Sequence, residues 1–288
     1  MATLTDSAQV SKARPILKWA GGKTQLLPDL VAHVPAEFAA YHEPFVGGGA
    51  LFFELAALGR LGSAYLSDIN PALIDVYLAV RDCVDDVIRL LKQYRHNETY
   101  FYKIRAKDPR KMGLAERAAR IIYLNKTCYN GLFRENKSGQ FNVPFGRYKN
   151  PTICDEPNLL AVSQILQRVD IDSRPFSSVL DVARPGDFVY FDPPYHPISS
   201  TASFTAYARN GFNEQDQIRL RDVFAELSQK GVQVMLSNSD MPFIRELYDG
   251  YTIARVYAAR YVNSKASARG KVPEVIVCNY GNANSSTR

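Results

Sequence analysis

The sequence predicts an α/β protein: a mostly parallel, doubly wound sheet interrupted by a mainly helical, basic insert. Three observations carry that prediction. A glycine turn, Gly47-Gly48-Gly49, sits between a strand-like run and a helix-like run, and Asp68 ends the next strand about 20 residues later. An apolar run, Asp187-Phe-Val-Tyr-Phe191, is followed by an amphipathic helix and another apolar run, as strands buried on both faces require. Charge is uneven: residues 76–157 hold 16 Lys+Arg against 9 Asp+Glu, whereas the remainder holds 19 against 20. The alternation describes a Rossmann-like sheet, and the charge marks a separate segment inside it.

Each element has a local reason. Glu43-Pro-Phe-Val precedes the glycines as a short strand, and Ala50-Leu-Phe-Phe-Glu-Leu follows them as a helix. Ala64–Asp68 reads as a second strand, and Pro71 opens a helix at a position where its missing N–H costs nothing. From there to Pro157 the pattern is helical and basic, then loop-like. Within it, Lys137–Pro144 reads as a hairpin, with Gly139 turning and Phe141 and Val143 alternating. Asn213 is an N-cap for a helix to Lys230, whose apolar side is Ile218, Leu220, Val223, Phe224 and Leu227 and whose stop is Gly231. Val232–Ser237 reads as a buried strand and Val275–Tyr280 as a last one, at the edge or antiparallel.

Bulk properties exclude several classes. The 288 residues are 46% apolar and 22% charged, which is ordinary for a globular chain. No apolar run is long enough to span a bilayer, and Met1–Arg14 has no apolar signal core. Cys83, Cys128, Cys154 and Cys278 are scattered, as are the four histidines, so neither a disulfide framework nor a metal site is expected. A reducing cytoplasm is the expected location. The net charge of +6, concentrated in one segment, points to a polyanionic partner.

Two clusters carry chemistry. A glycine turn lets backbone approach a ligand, and a carboxylate at the end of the following strand, Asp68, suits ribose hydroxyls. The dinucleotide fingerprint wants a third glycine where Phe52 stands, and the phosphate-loop reading of Gly21-Gly-Lys-Thr24 wants a glycine where Leu17 stands. S-adenosylmethionine, a nucleoside with a sulfonium and no phosphate, fits instead. Asp192-Pro-Pro-Tyr195 follows the apolar strand directly, at the end where open α/β sheets place ligands. The Asp192 carboxylate and Pro193 carbonyl are two acceptors able to polarise the N6 amine of adenine, Pro194 stiffens the turn, and Tyr195 offers a face to an extruded base.

These blocks resemble the Dam-type N6-adenine DNA methylases over nearly the whole chain. In order they are Leu17-Lys-Trp-Ala-Gly-Gly-Lys23, Glu43–Gly49, Ser67-Asp-Ile-Asn70, Tyr129-Asn-Gly-Leu-Phe-Arg134, Phe141–Tyr148 and Asp192–Tyr195, with Phe204–Tyr207 and Ser237–Asp240 also familiar. The order is that of the family's α-type arrangement. The resemblance implies a catalytic, cofactor-binding domain from 1–75 and 158–288, with a target-recognition domain at 76–157. It implies that Trp19 and Lys23 help hold the cofactor, beside Phe45, Gly47 and Gly49, and that Asp192 to Tyr195 are catalytic. It further implies DNA contacts by Lys18, Tyr129, Asn130, Leu132, Arg134, Pro144, Arg147 and Tyr148, with Tyr129 entering the base stack and Arg134 reading guanine. The expected partner is double-stranded DNA with a GATC target, and no protein partner is implied. Two alternatives stay open: an RNA or other amino-group methyltransferase sharing the tetrapeptide, and a non-catalytic DNA-binding relative.

Overall fold

The apolar run Phe188–Phe191 becomes a central strand with all four side chains buried, so it is covered on both faces. The computed structural model describes residues 12–136, 138–196, 212–259 and 271–281. These divide into two units, one containing residues 21–74 and those from 169 onward, the other containing residues 12–20 and 75–168.

The first unit is the sheet. Its strands are β1 (Ala40–Glu43), β2 (Ser63–Asp68), β3 (Val169–Ser173), β4 (Phe188–Phe191), β5 (Gln233–Ser239), β6 (Thr252–Ala259) and β7 (Lys271–Cys278). They lie in the order β3-β2-β1-β4-β5-β7-β6. The first five are mutually parallel, and β7 runs antiparallel to both of its neighbours. Strand order reverses between β1 and β4, and beyond the carboxyl ends of that pair a doubly wound sheet opens a crevice. The mostly parallel, doubly wound sheet expected from the sequence is the one observed.

Local chemistry accounts for the flanking elements. Gly49 ends the glycine turn at φ 68°, a left-handed conformation that disfavours side chains, and helix Ala50–Ala57 starts at the next residue. The Asn213 side chain accepts from the N–H groups of Gln215 and Asp216, while the Asp216 carboxylate accepts from the Asn213 N–H, a reciprocal cap on helix Glu214–Gln229. That helix buries Leu220, Phe224 and Leu227 against Val189, Phe191, Val234 and Leu236. Each such side chain contributes roughly 1.5–3 kcal/mol of burial.

Three expectations need amendment. The last strand is antiparallel but interior, because β6 covers it and takes the edge with Arg255 and Tyr257 exposed. Strands β3 and β6 were not predicted, since Val-Asp-Ile-Asp-Ser is short and half polar, and Thr252–Ala259 resembles a solvated alternation. Lys137 falls outside the described residues, and around it the expected hairpin is held by isolated bridges, Glu135 with Phe141 and Cys128 with Phe145. Gly139 turns its tip at φ 70°, as expected, and Asn136 closes it, its backbone oxygen accepting from the Gly139 N–H and its side-chain oxygen from those of Ser138 and Gln140.

The second unit is helical: Val84–Gln93, Glu98–Arg105, Leu114–Thr127 and Glu156–Leu166. Buried Arg120 donates to the carbonyls of Ile104 and Arg105 at the end of helix Glu98–Arg105, sharing the first with the Lys107 N–H. Residues 14–20 belong here. Arg14 exchanges two backbone bonds with the Asn158 side chain, and Lys18 exchanges two with the Asn125 side chain. Among the described residues no helix is long and apolar enough to cross a membrane.

Candidate functional site

At the carboxyl ends of β1 and β2, Asp68 is drawn into the glycine turn. Its Oδ2 accepts from the Gly47 N–H at 3.2 Å and its Oδ1 from the Asn70 N–H at 2.9 Å. Burial pushes its carboxyl above the usual range, while the N–H groups of Asn70, Gly47 and Ile69 pull it back. Ile69 beside it is 69% exposed, an apolar surface that the core does not claim. Phe45 stacks on Phe176 at 5.4 Å between centroids and meets Phe191 and Phe212 edge-on. Ile69 and Phe176 escaped sequence reasoning; an isoleucine after a strand-end carboxylate was the available signal for the first, and Phe176 had none.

The tetrapeptide follows β4 at the switch point. Lys23, only 7% exposed, places its ammonium 2.6 Å from Asp192 Oδ1, 2.7 Å from the Gly21 carbonyl and 4.5 Å from the centre of the Tyr195 ring. The Ser237 hydroxyl donates to that same Oδ1 at 2.9 Å, and Tyr190 Oη lies 2.9 Å behind Ser237 Oγ. Both protein donors thus hold one oxygen of Asp192. Among the described residues no donor reaches Oδ2 or the Pro193 carbonyl. The carboxylate side chain is 18% exposed; burial pushes its pKa up, and Lys23 and Ser237 oppose the rise. Tyr195 is fixed by its hydroxyl, which donates to Glu274 Oε2 at 2.6 Å.

Glu43, at the end of β1, is a second buried carboxylate near this centre. The Tyr41 hydroxyl donates to its Oε2 at 2.9 Å, and burial pushes its pKa well above the ordinary value. Of the expected cofactor residues, Lys23, Phe45, Gly47, Gly49, Asp68 and Asp192 lie in the sheet unit. Trp19 lies in the helical unit, with its ring 5.1 Å from that of Phe133.

The helical unit gathers the residues expected to face DNA. Asn125, 1% exposed, donates to the Gly131 carbonyl as well as to that of Lys18, tying the turn Tyr129–Gly131 to the amino-terminal segment. Gly131 is at φ 64°, and a Cβ there would meet Lys18 Cδ at 2.6 Å. Asn130 before it is also left-handed, at φ 55°. Lys18, Tyr129, Asn130, Leu132, Arg134, Pro144, Arg147 and Tyr148 are all exposed, whereas Cys128, Gly131, Phe141, Val143 and Gly146 between them are buried. Tyr129, 54% exposed, is no core aromatic. Arg134 rests on Asn142, its Nε donating to Oδ1 at 2.6 Å. A cleft of about 380 Å3 has Lys18, Lys126, Tyr148 and Thr152 in its lining. Burial pushes the Lys126 ammonium down, and neighbouring Arg14 and Lys18 add to that. Among the sequence blocks, Phe204–Tyr207 lies outside the described residues.

Among the described residues no group of three metal-ligating side chains occurs, and all four cysteines are free thiols.

Comparisons with known proteins converge. The family model for D12 class N6 adenine-specific DNA methyltransferase matches residues 19–262. A Type II methyltransferase of Lactococcus lactis subsp. cremoris is 45% identical over 277 residues, spanning 93% of this chain and 96% of that one. A Type II methyltransferase of Methanocaldococcus jannaschii is 42% identical, spanning 93% of this chain and all of the other. The DNA adenine methylase of Serratia marcescens is 37% identical across 93% of this chain and 98% of its own.

Proposed function

The chain belongs to the D12 class of N6 adenine-specific DNA methyltransferases, and on that premise we propose how its residues divide the work. It is an adenine-specific DNA methyltransferase that uses S-adenosylmethionine. The donor set fits that cofactor. Asp68 offers acceptors to ribose hydroxyls, Ile69 and Phe45 offer apolar faces to the adenine, and Lys23 offers a cation to the carboxylate of the methionine portion. Gly47 and Gly49 let the backbone come close. A sulfonium suits the neighbourhood of Asp192 and Tyr195, because a carboxylate and an aromatic face both favour positive charge. When bound, the cofactor supplies an electrophilic methyl group.

The remaining work falls to the chain. The target adenine leaves the DNA stack and rests on the Tyr195 ring, whose tilt Glu274 fixes. Its N6 amine donates one hydrogen to Asp192 Oδ2 and the other to the Pro193 carbonyl. Both bonds draw the nitrogen toward pyramidal geometry and return its lone pair from the ring. As that lone pair is committed to the methyl carbon and the carbon–sulfur bond breaks, the nitrogen gains positive charge that the carboxylate stabilises. The amine then releases one of its two hydrogens as a proton through Asp192 Oδ2. Pro194 keeps the turn rigid. The single observation that carries this reading is the asymmetry of Asp192: one oxygen anchored twice, the other open.

Target recognition belongs, on this reading, to residues 76–157 with Lys18. Tyr129 fills the gap left by the extruded base, and Arg134 exchanges Asn142 for the O6 and N7 of guanine. Lys18, Asn130, Leu132 and Pro144 meet base edges, and Arg147 and Tyr148 hold the flanks. The target is GATC in duplex DNA of the cytoplasm. Mapping modified adenines in the DNA of cells expressing the chain tests the target, and GATC is the expected pattern. Arg134→Ala is expected to lose roughly 1–3 kcal/mol of discrimination at one base pair. An unchanged methylation pattern in that variant would remove Arg134 from recognition.

A further inference from the structure

Ser237, Asn238 and Ser239 end β5 as three consecutive polar residues, each at most 1% exposed, directly after apolar Val234, Met235 and Leu236. Burying a hydroxyl or an amide is unfavourable unless each is hydrogen-bonded, so their partners reveal what they are for. Ser237 Oγ donates to Asp192 Oδ1 at 2.9 Å. Asn238 Oδ1 accepts from the His196 N–H at 3.2 Å and the Ser239 N–H at 2.8 Å. Asn238 Nδ2 donates to Gln217 Oε1 at 3.1 Å, and Gln217 Nε2 donates to the Pro194 carbonyl at 2.9 Å. Ser239 Oγ donates to the His196 carbonyl at 2.8 Å.

These side chains converge on the five residues 192–196. The two amides have one self-consistent orientation: Asn238 Oδ1 faces two N–H groups, which turns its NH2 toward Gln217 and the Gln217 NH2 toward Pro194. Reversing either amide sets acceptor against acceptor. The proline rings already fix φ at 193 and 194. With the Asp192 carboxylate held at one end and the Pro194 oxygen at the other, the Pro193 carbonyl between them has its direction set.

We propose that Ser237, Asn238 and Gln217 are positioning residues for methyl transfer: Ser237 selects which Asp192 oxygen is offered, and the Asn238–Gln217 relay aims the Pro193 carbonyl at the amine. The inference rests on the reading of Asp192–Tyr195 as the reacting segment. Tyr190, behind Ser237, supports the first arm.

Single-turnover methylation of duplex DNA, with cofactor and DNA saturating, separates the arms. Ser237→Ala is expected to lower the rate about tenfold or more, since small misplacements of reacting groups carry penalties of that order. Its acid limb moves to higher pH, because Asp192 loses a donor that favours the ionised carboxylate. Tyr190→Phe moves the limb the same way by less. Gln217→Met lowers the rate comparably while the limb stays in place, and cofactor and DNA affinities hold for both variants. Should Gln217→Met not fold, Asn238→Asp keeps the shape and both accepted bonds while removing the donor to Gln217. Its rate is read the same way, but its acid limb is not, because a second buried carboxylate near Asp192 moves that limb by itself. A merely structural role would lower the melting temperature and leave the rate per folded molecule and its pH profile unmoved. Rates within about twofold of the parent with an unshifted acid limb overturn the proposal. Asp192→Asn is the control. If it stays active, the reading of the tetrapeptide fails; if it is inactive while Ser237→Ala and Gln217→Met behave as the parent, only the positioning roles fail.

Discussion

Strand β4 is flanked by two buried carboxylates, Asp187 before it and Asp192 after it, and their surroundings differ in one respect that matters. Asp187 is saturated by the protein: its Oδ1 accepts from the Ala40 N–H at 3.1 Å, and its Oδ2 from the Arg184 N–H at 2.9 Å and from His42 Nε2 at 2.9 Å. Among the described residues, Asp192 takes its two donors, Lys23 and Ser237, on a single oxygen. The first arrangement ties β4 to its neighbours and leaves nothing for a ligand. The second holds a carboxylate in place and keeps an acceptor open. On the proposed reading, unspent acceptor capacity and not burial separates the reacting carboxylate from the structural one.

The comparison breaks most visibly at Asp192. Asp192→Ala is expected to lower methyl transfer by about 10³-fold, the upper range for removing one electrostatic partner of a transition state. DNA binding by the folded fraction stays close to the parent, whereas the melting temperature falls, because the Lys23 ammonium and the Ser237 hydroxyl lose the acceptor they share. Turnover near the parent rate would place the chemistry elsewhere.

Asp187→Ala inverts the pattern. It strands two backbone N–H groups and the His42 donor in the interior, so unfolding in urea should show a loss of about 3 kcal/mol. The folded fraction should still methylate at nearly the parental single-turnover rate. A stable Asp187→Ala protein would sink the structural assignment.

The smallest effect is a pH dependence. Burial lowers the His42 pKa from 6.5, with Asp187 partly opposing. Above 6.5 the imidazole is neutral both folded and unfolded, so it contributes no pH dependence. Below it, the unfolded chain takes up a proton that the folded one resists, and stability falls as pH drops toward the folded value. Raised groups such as Glu43 and Asp192 change stability in the other direction. The His42 contribution is therefore read as the difference between the parent and His42→Gln, expected at about 1 kcal/mol between pH 7 and 5.5. Identical pH profiles would refute it.

Much of the sheet unit was legible in the sequence because its signals are local. Gly49 at a helix start, Asn213 as a reciprocal cap and Gly231 as a stop each act within four residues, and each appears where the sequence puts it. Strands β3 and β6 were not legible, because their pairing is decided by neighbours distant in sequence. Among the described residues β3 joins only β2, and β6 only β7. In the helical unit, the exposed positions at Tyr129, Leu132 and Tyr148 followed from motif blocks, but the bonds of Asn125 to Lys18 and Gly131 did not.

The sequence by itself determined the fold class, the family and the cofactor, since these depend on residue types at short spacings along the chain. Only the tertiary structure decided that Lys23 and Ser237 share one oxygen of Asp192, that Glu274 fixes Tyr195, and that Gln217 reaches Pro194. These partners lie between 23 and 169 residues apart in the chain, with separations of 79 for Tyr195 with Glu274 and 23 for Gln217 with Pro194. The direction of a buried hydrogen bond depends on which side chains the sheet brings within about 3 Å, and spacing along a chain does not encode that distance.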